Sequence, residues 1–194
     1  MIDEQTMTNK TGISIRTATP NDAKAVAELH ADSWRRHYRG AYADAYLDGD
    51  LLVDRLEIWT DRLRAAGPDA ITLLAEADGH VVGFIHAVLD ADPVWGALVD
   101  NLHVTYSRKR SGVGTRLLSS VTLAVLQRRP TTGLYLWVLE QNVAAQQFYT
   151  ARGGIVVETA AAQPPGGNPE WLNGAPLKFR IAWTDPRVLA VGGE

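Results

Sequence analysis

Between Asn101 and Leu118 the chain reads NLHVTYSRKRSGVGTRLL, and no other stretch limits its folding as tightly. A strand-like run ends in Arg108, Lys109 and Arg110. Two glycines follow at Gly112 and Gly114, and an apolar helical repeat begins at once. A strand that hands over to a helix in this way leaves backbone N–H groups unpaired at the helix start, where partial positive charge attracts phosphate. Glycine has no Cβ, so a ligand can come close to the main chain. The turn is expected to hold a phosphorylated ligand, with Lys109, Arg110, Ser111, Gly112, Val113, Gly114 and Thr115 around it. A solvated basic loop, with glycines for tight packing, is the plainer alternative.

The segments around the turn predict the architecture. ISIRTAT, residues 13–19, alternates as a strand. Thr19-Pro20 opens a helix with Ala23, Val26, Ala27, His30 and Trp34 at helical spacing, running to about Tyr38 and ended by Gly40. Leu52, Leu56, Trp59 and Leu63 mark a second helix from about Leu51 to Ala65. Asp78-Gly79 between two apolar runs predicts a hairpin, and GALVDNLHVT adds a strand to it. Beyond the glycine turn come a helix over about Ser111 to Gln127 and a buried strand, GLYLWVLE. A helix closed by Gly153-Gly154 follows, and then two strands separated by a Pro/Gly loop. The order β-α-α-β-β-β-α-β-α-β-β predicts an α/β (α+β) fold with one mixed, mostly antiparallel sheet of about seven strands and about four flanking helices. Residues 1–12 read as a mobile tail, 13–185 as one domain and 186–194 as a C-terminal tail.

Bulk properties exclude several classes. The net charge of −3 gives no domain-wide basic field for nucleic acid. With no cysteine there is no disulfide, thiolate zinc site or cysteine nucleophile. Five histidines without ligand spacing make no case for a metal. No apolar run is long enough for a membrane span and the start lacks a signal peptide's apolar core, so a soluble, cytoplasmic protein is expected.

Three phosphate motifs compete for the turn. Walker A fails, because Thr115-Arg116 stands where lysine and Ser/Thr are required. The dinucleotide fingerprint has Leu117 in place of its third glycine, although Glu140 lies near the end of the next strand; a nucleotide-binding oxidoreductase stays open on that ground. The third reading combines VTYSRKRSGVGTRLL with WVLEQNVAAQQFYTARGG one strand later. Together they resemble the GNAT superfamily of acyl-CoA N-acyltransferases, with its Arg/Gln-x-x-Gly-x-Gly/Ala turn and later N-x-x-A-x-x-F-Y-x-x-x-G helix. Asn142, Ala145, Phe148, Tyr149 and Gly153 keep the second spacing, and the likeness runs from about Ile13 to Trp183. Lys109 replaces the usual Arg/Gln, and Arg110 the common glycine after it.

The resemblance implies acetyl-CoA as co-substrate, lying in an opening where the sheet splays between its fourth and fifth strands. Main-chain groups of Leu102, His103 and Val104 would pair with the pantetheine arm, and one N–H would polarise the thioester carbonyl. Asn142 and Tyr149, two helical turns apart, are expected on one face beside the ligand, with Tyr149 as the acid for the departing thiolate. Phe148 reads as core. Asp100 and His103 on the strand GALVDNLHVT and Glu140 at the mouth of the buried strand are the candidate bases for the amine. Asp100 stands where many relatives carry an acidic residue, and His103 is expected on the opposite face of the strand. Trp34, Tyr38 and Tyr42 are candidates for the acceptor pocket, although helix packing or a homodimer contact explains them equally. Asp44, Asp90 and Asp92 could draw a cationic acceptor. The implied activity is N-acetylation of a primary amine of a small molecule, with a protein N-terminus or lysine, or a non-catalytic acyl-CoA-binding module, as alternatives.

Overall fold

The computed structural model describes residues 12–190; the N-terminal tail expected over 1–12 lies almost wholly outside them. Strand β1 (Ile13–Thr17) leads through a short turn to α1 (Ala23–His37), α2 (Asp44–Asp48) and α3 (Leu51–Arg64). The meander β2 (Ala70–Ala77), β3 (His80–Asp92) and β4 (Gly96–Val104) follows, then α4 (Val113–Arg128), β5 (Leu134–Leu139), α5 (Val143–Thr150), β6 (Ile155–Ala161) and β7 (Leu177–Trp183). The seven strands form one sheet in the order β1-β2-β3-β4-β5-β7-β6, antiparallel everywhere except β4–β5. The short α2, seated between two predicted helices, has no counterpart in the sequence reading: five residues carry too little periodicity to show.

Two faces of the sheet are buried separately. Val113, Leu117, Val121 and Val125 of α4 pack with Ile85, Val99, Leu136 and Val138 on one face, joined by Tyr149 of α5. Across the sheet, Val26, Ala27 and Leu29 of α1 and Trp59 of α3 enclose Leu74 and Phe84. Gly83 on β3 lets α4 come this close: a Cβ there would stand 3.0 Å from both Leu117 Cδ1 and Val113 Cγ1 and 3.1 Å from the His103 carbonyl. Packing continues past Asp185, where the sequence placed the end of the domain. A single turn over Pro186–Leu189 follows, with Leu189 buried in the α4 core.

Two irregularities in β4 shape the site. Its parallel pairing with β5 covers only Ala97↔Leu134, Leu98↔Tyr135 and Val99↔Leu136. Past those residues the strands part, leaving one edge of residues 100–104 facing an edge of 137–139. The second irregularity is a bulge against β3: His86 pairs Asn101 and Ala87 pairs Val99, so Asp100 is the extra residue.

Candidate active site

The glycine turn is an array of free donors. Backbone N–H groups of Ser111 and Arg116 bond to Arg108 and Gly112, but those of Arg110, Gly112, Val113, Gly114 and Thr115 find no acceptor among the described residues. Gly112 caps α4 with φ +83°, and Arg110 has φ +61°, the left-handed conformation that costs a side-chain-bearing residue roughly 1–2 kcal/mol. Arg110, standing where the resembling motif has glycine, thus takes a conformation that glycine adopts freely. The flanking cations are engaged elsewhere. Arg108 pairs with Asp78 at 2.7 Å. Lys109 Nζ meets His37 Nε2 at 2.7 Å and lies over the Tyr106 ring, so the expected turn lysine ties the turn to the end of α1. Beside the nest, Arg152 donates to Thr115 Oγ1 at 2.6 Å and stacks on Phe148, along a groove of about 350 Å³ that includes Leu118, Gly153 and Leu189.

The splay brings β4 residues Leu102, His103 and Val104 to the opening, with backbone edges unpaired toward β5. Asp100 and His103 both lie on the α1/α3 face. Asp100 holds Arg62 of α3 at 2.6 Å, while His103 Nδ1 meets Ser33 Oγ of α1 at 2.8 Å. Strict alternation puts them on opposite faces; the extra residue of the bulge resets the parity, correcting the sequence expectation. Burial, with Lys109 adding, keeps His37 below its usual range, and burial with His37 holds His103 down to about 3, so both rings are neutral near pH 7.

Tyr149 is buried between Phe148 and Trp183, with ring centroids at 5.1 and 6.1 Å, and burial pushes its phenol well above the usual tyrosine range. A raised value makes it a durable neutral donor and makes complete proton loss costlier. Asn142 departs from expectation too. At φ −86°, ψ 62° it stands outside α5 as its cap, Oδ1 accepting from Ala145 N at 3.3 Å, so its side chain turns over the first turn instead of sharing a helical face with Tyr149.

Trp34, Tyr38 and Tyr42 come together as one aromatic wall. Trp34 stacks on Tyr38 at 4.9 Å, and Tyr42 lies 5.2 and 5.1 Å from the two rings. Tyr42 is largely buried, whereas Trp34 and Tyr38 keep some exposure. Buried Arg55 places its guanidinium 4.3 Å from the Trp34 ring and pairs with Asp54. The acidic loops are neutralised: Asp44 by Arg39, Asp90 by Arg129 and Asp92 by Arg180. Sequence reasoning missed Trp137. It sits one residue past the last β4–β5 pair, with Lys178 Nζ 4.4 Å and Arg180 Cζ 4.7 Å from its ring. An all-apolar strand pattern hid it; the lone tryptophan in GLYLWVLE was the available signal.

A nest of free N–H groups next to a strand that parts from its neighbour is a specific arrangement, and the comparisons agree with it. The family model for the acetyltransferase (GNAT) family matches residues 23–154, which span the nest, the splay and α5. The chain belongs to the GNAT family. It is therefore an acetyl-CoA-dependent acetyltransferase by family, with the acceptor left open. A Mycobacterium tuberculosis protein described as a probable N-acetyltransferase is 28% identical over 142 residues, covering 71% of this chain and 76% of that protein. The crystal structure of a PaiA N-acetyltransferase from Thermoplasma acidophilum in complex with coenzyme A superposes with a TM-score of 0.68 at 21% identity, covering 88% of this chain and 99% of that one. Arabidopsis thaliana NAA60, solved with a bisubstrate analogue, gives 0.62 at 17% identity over 88% and 97%. At these identities the solved structures establish the shared GNAT fold. Among the described residues no cluster of metal-binding side chains occurs and no helix is long and apolar enough to cross a membrane.

Proposed function

We propose that the protein transfers the acetyl group of acetyl-CoA directly to a primary amine of a small molecule. The observation that carries this reading is the pairing of the five free N–H groups at 110–115 with the unpaired β4 edge at 102–104. The nest is suited to a diphosphate. The β4 edge offers N–H groups to an extended amide arm and to a carbonyl oxygen that gains charge during attack. In this reading Arg152 and the groove beside Thr115 take the far end of the coenzyme.

In this scheme the amine nitrogen attacks the thioester carbon, a C–N bond forms and the C–S bond breaks. The hydroxyl of Tyr149 supplies a hydrogen bond, and then the proton, to the departing sulfur. Asp100, on the acceptor side of β4, takes the amine's proton through water. Trp34, Tyr38 and Tyr42 wall the approach. No covalent enzyme intermediate is required.

Release of free thiol from acetyl-CoA across a broad amine panel tests the reading. Turnover with at least one small primary amine is expected, and binding of NAD but not of coenzyme A would overturn it. Tyr149→Phe is expected to lower kcat by about a hundredfold, within the range for a lost general acid, while coenzyme A affinity stays within about twofold. Unchanged kcat removes Tyr149 from the chemistry.

A further inference from the structure

Leu136 and Val138 point into the α4 core, so Trp137 between them projects from the opposite face, beside the apex of the splay. Asn101 flanks the same apex on β4. Its partner His86 lies against Trp59, placing both on the Trp137 side. Two polar features lie on this face, on the strands either side of β5. Asn101 Oδ1 is buried without a donor among the described residues, while Nδ2 of the same amide is bound to the Asp100 carbonyl. A buried acceptor with no donor keeps its full desolvation penalty, so an N–H from a ligand is what this atom lacks.

The second feature is Lys178. It is half-buried over Trp137, its ammonium disfavoured by burial and by Arg180, and among the described residues no carboxylate lies within salt-bridge distance of it. The facing carboxylates, Asp92 and Glu158, both approach Arg180, at 2.7 and 2.9 Å, and Asp100 is taken by Arg62. This side of the sheet thus presents one acceptor for an N–H and one cation with no carboxylate in direct contact, Glu158 acting on it only from a distance.

We propose that the acceptor is a small amine carrying a carboxylate, as a free amino acid does, with its nitrogen donating to Asn101 Oδ1 and its carboxylate meeting Lys178 against Trp137. This rests on the acetyl-transfer reading and narrows it. A polyamine or peptide amide would bring only positive charge to Lys178, an uncompensated repulsion at a half-buried site.

The test compares free L-amino acids with their decarboxylated amines and their carboxamides, by thiol release at saturating acetyl-CoA. At least one amino acid is expected to exceed its own amine and amide in kcat/KM by about tenfold or more, the scale of a lost charge-assisted hydrogen bond. Lys178→Met should raise KM for that amino acid by a similar factor and erase its advantage, with KM for acetyl-CoA unchanged; Lys178→Arg should retain the advantage. Asn101→Ala should raise KM for acids and amines alike. Coenzyme A affinity and thermal unfolding of each variant are measured alongside. Preferential turnover of the amines, of the amides or of peptide N-termini, or no turnover of any amino acid, overturns this inference and leaves the coenzyme site standing. Loss of coenzyme A binding by the wild-type protein overturns both.

Discussion

Arg110 occupies a backbone conformation that glycine adopts freely, in a turn whose free N–H groups do the gripping. If the main chain supplies the affinity, the side chain is dispensable. Arg110→Gly is expected to keep coenzyme A affinity within about threefold. Its melting temperature should change little, because relief of the left-handed strain is offset by added freedom in the unfolded chain. A hundredfold loss by calorimetry would show that the guanidinium holds the diphosphate instead. This position was legible in the sequence as a departure from a motif, yet only the structure shows the backbone carrying on past it. Lys109 shows the opposite limit. Its place in the turn was readable, whereas its bond to His37 joins residues 72 positions apart that no local pattern connects.

At the scale of elements, nearly every strand and long helix was readable, because hydrophobic period, Asp78-Gly79 and the helix-ending glycines act locally. The irregularities were not. The bulge at Asp100 and the early end of β4–β5 pairing depend on how neighbouring strands meet, and these two features decide which side chains share the site. The sequence therefore supplied the right strand for Asp100 and His103 and the wrong relation between them. The packing of α4 on β3 is equally specific. Gly83→Ala would drive a methyl group to 3.0 Å from Leu117 and Val113. Overpacking of this kind costs about 1–3 kcal/mol, and here it also tilts the helix whose N-terminus forms the nest. A lower urea midpoint together with weaker coenzyme A binding is expected. An unaltered midpoint would mean that α4 is less tightly seated than the contacts indicate.

Across the whole molecule, one face of the sheet carries a run of neutral histidines. Trp59 donates to His30 Nδ1 at 2.9 Å, Thr72 meets His86 at 2.8 Å and Ser33 meets His103 at 2.8 Å. Burial holds His86 down to about 4 and His103 to about 3, and lowers His30 as well, from a usual 6.5. The unfolded chain therefore binds these protons first. The stabilisation is complete above about 6.5 and is lost as pH falls toward the folded values. Asp22, held near 2 by its hydrogen bonds to Arg16, contributes a loss only below the usual carboxylate range, so the first decline belongs to the histidines. Urea midpoints should fall clearly between about pH 7 and about pH 4.5; equal midpoints would contradict the burial of these rings. The three histidines lie far apart in the sequence, and their shared enclosure follows from the fold. Acetyl transfer by this chain requires the nest and the splay to act together on one coenzyme, and calorimetric titration of coenzyme A into the wild-type protein and Gly112→Asp tests that most directly. Saturable one-to-one binding by the wild type and its loss in the variant is the predicted result, since the added carboxylate would stand at φ +83° among the N–H groups that face the diphosphate. Equal affinity in the two proteins would place the coenzyme elsewhere and contradict the account.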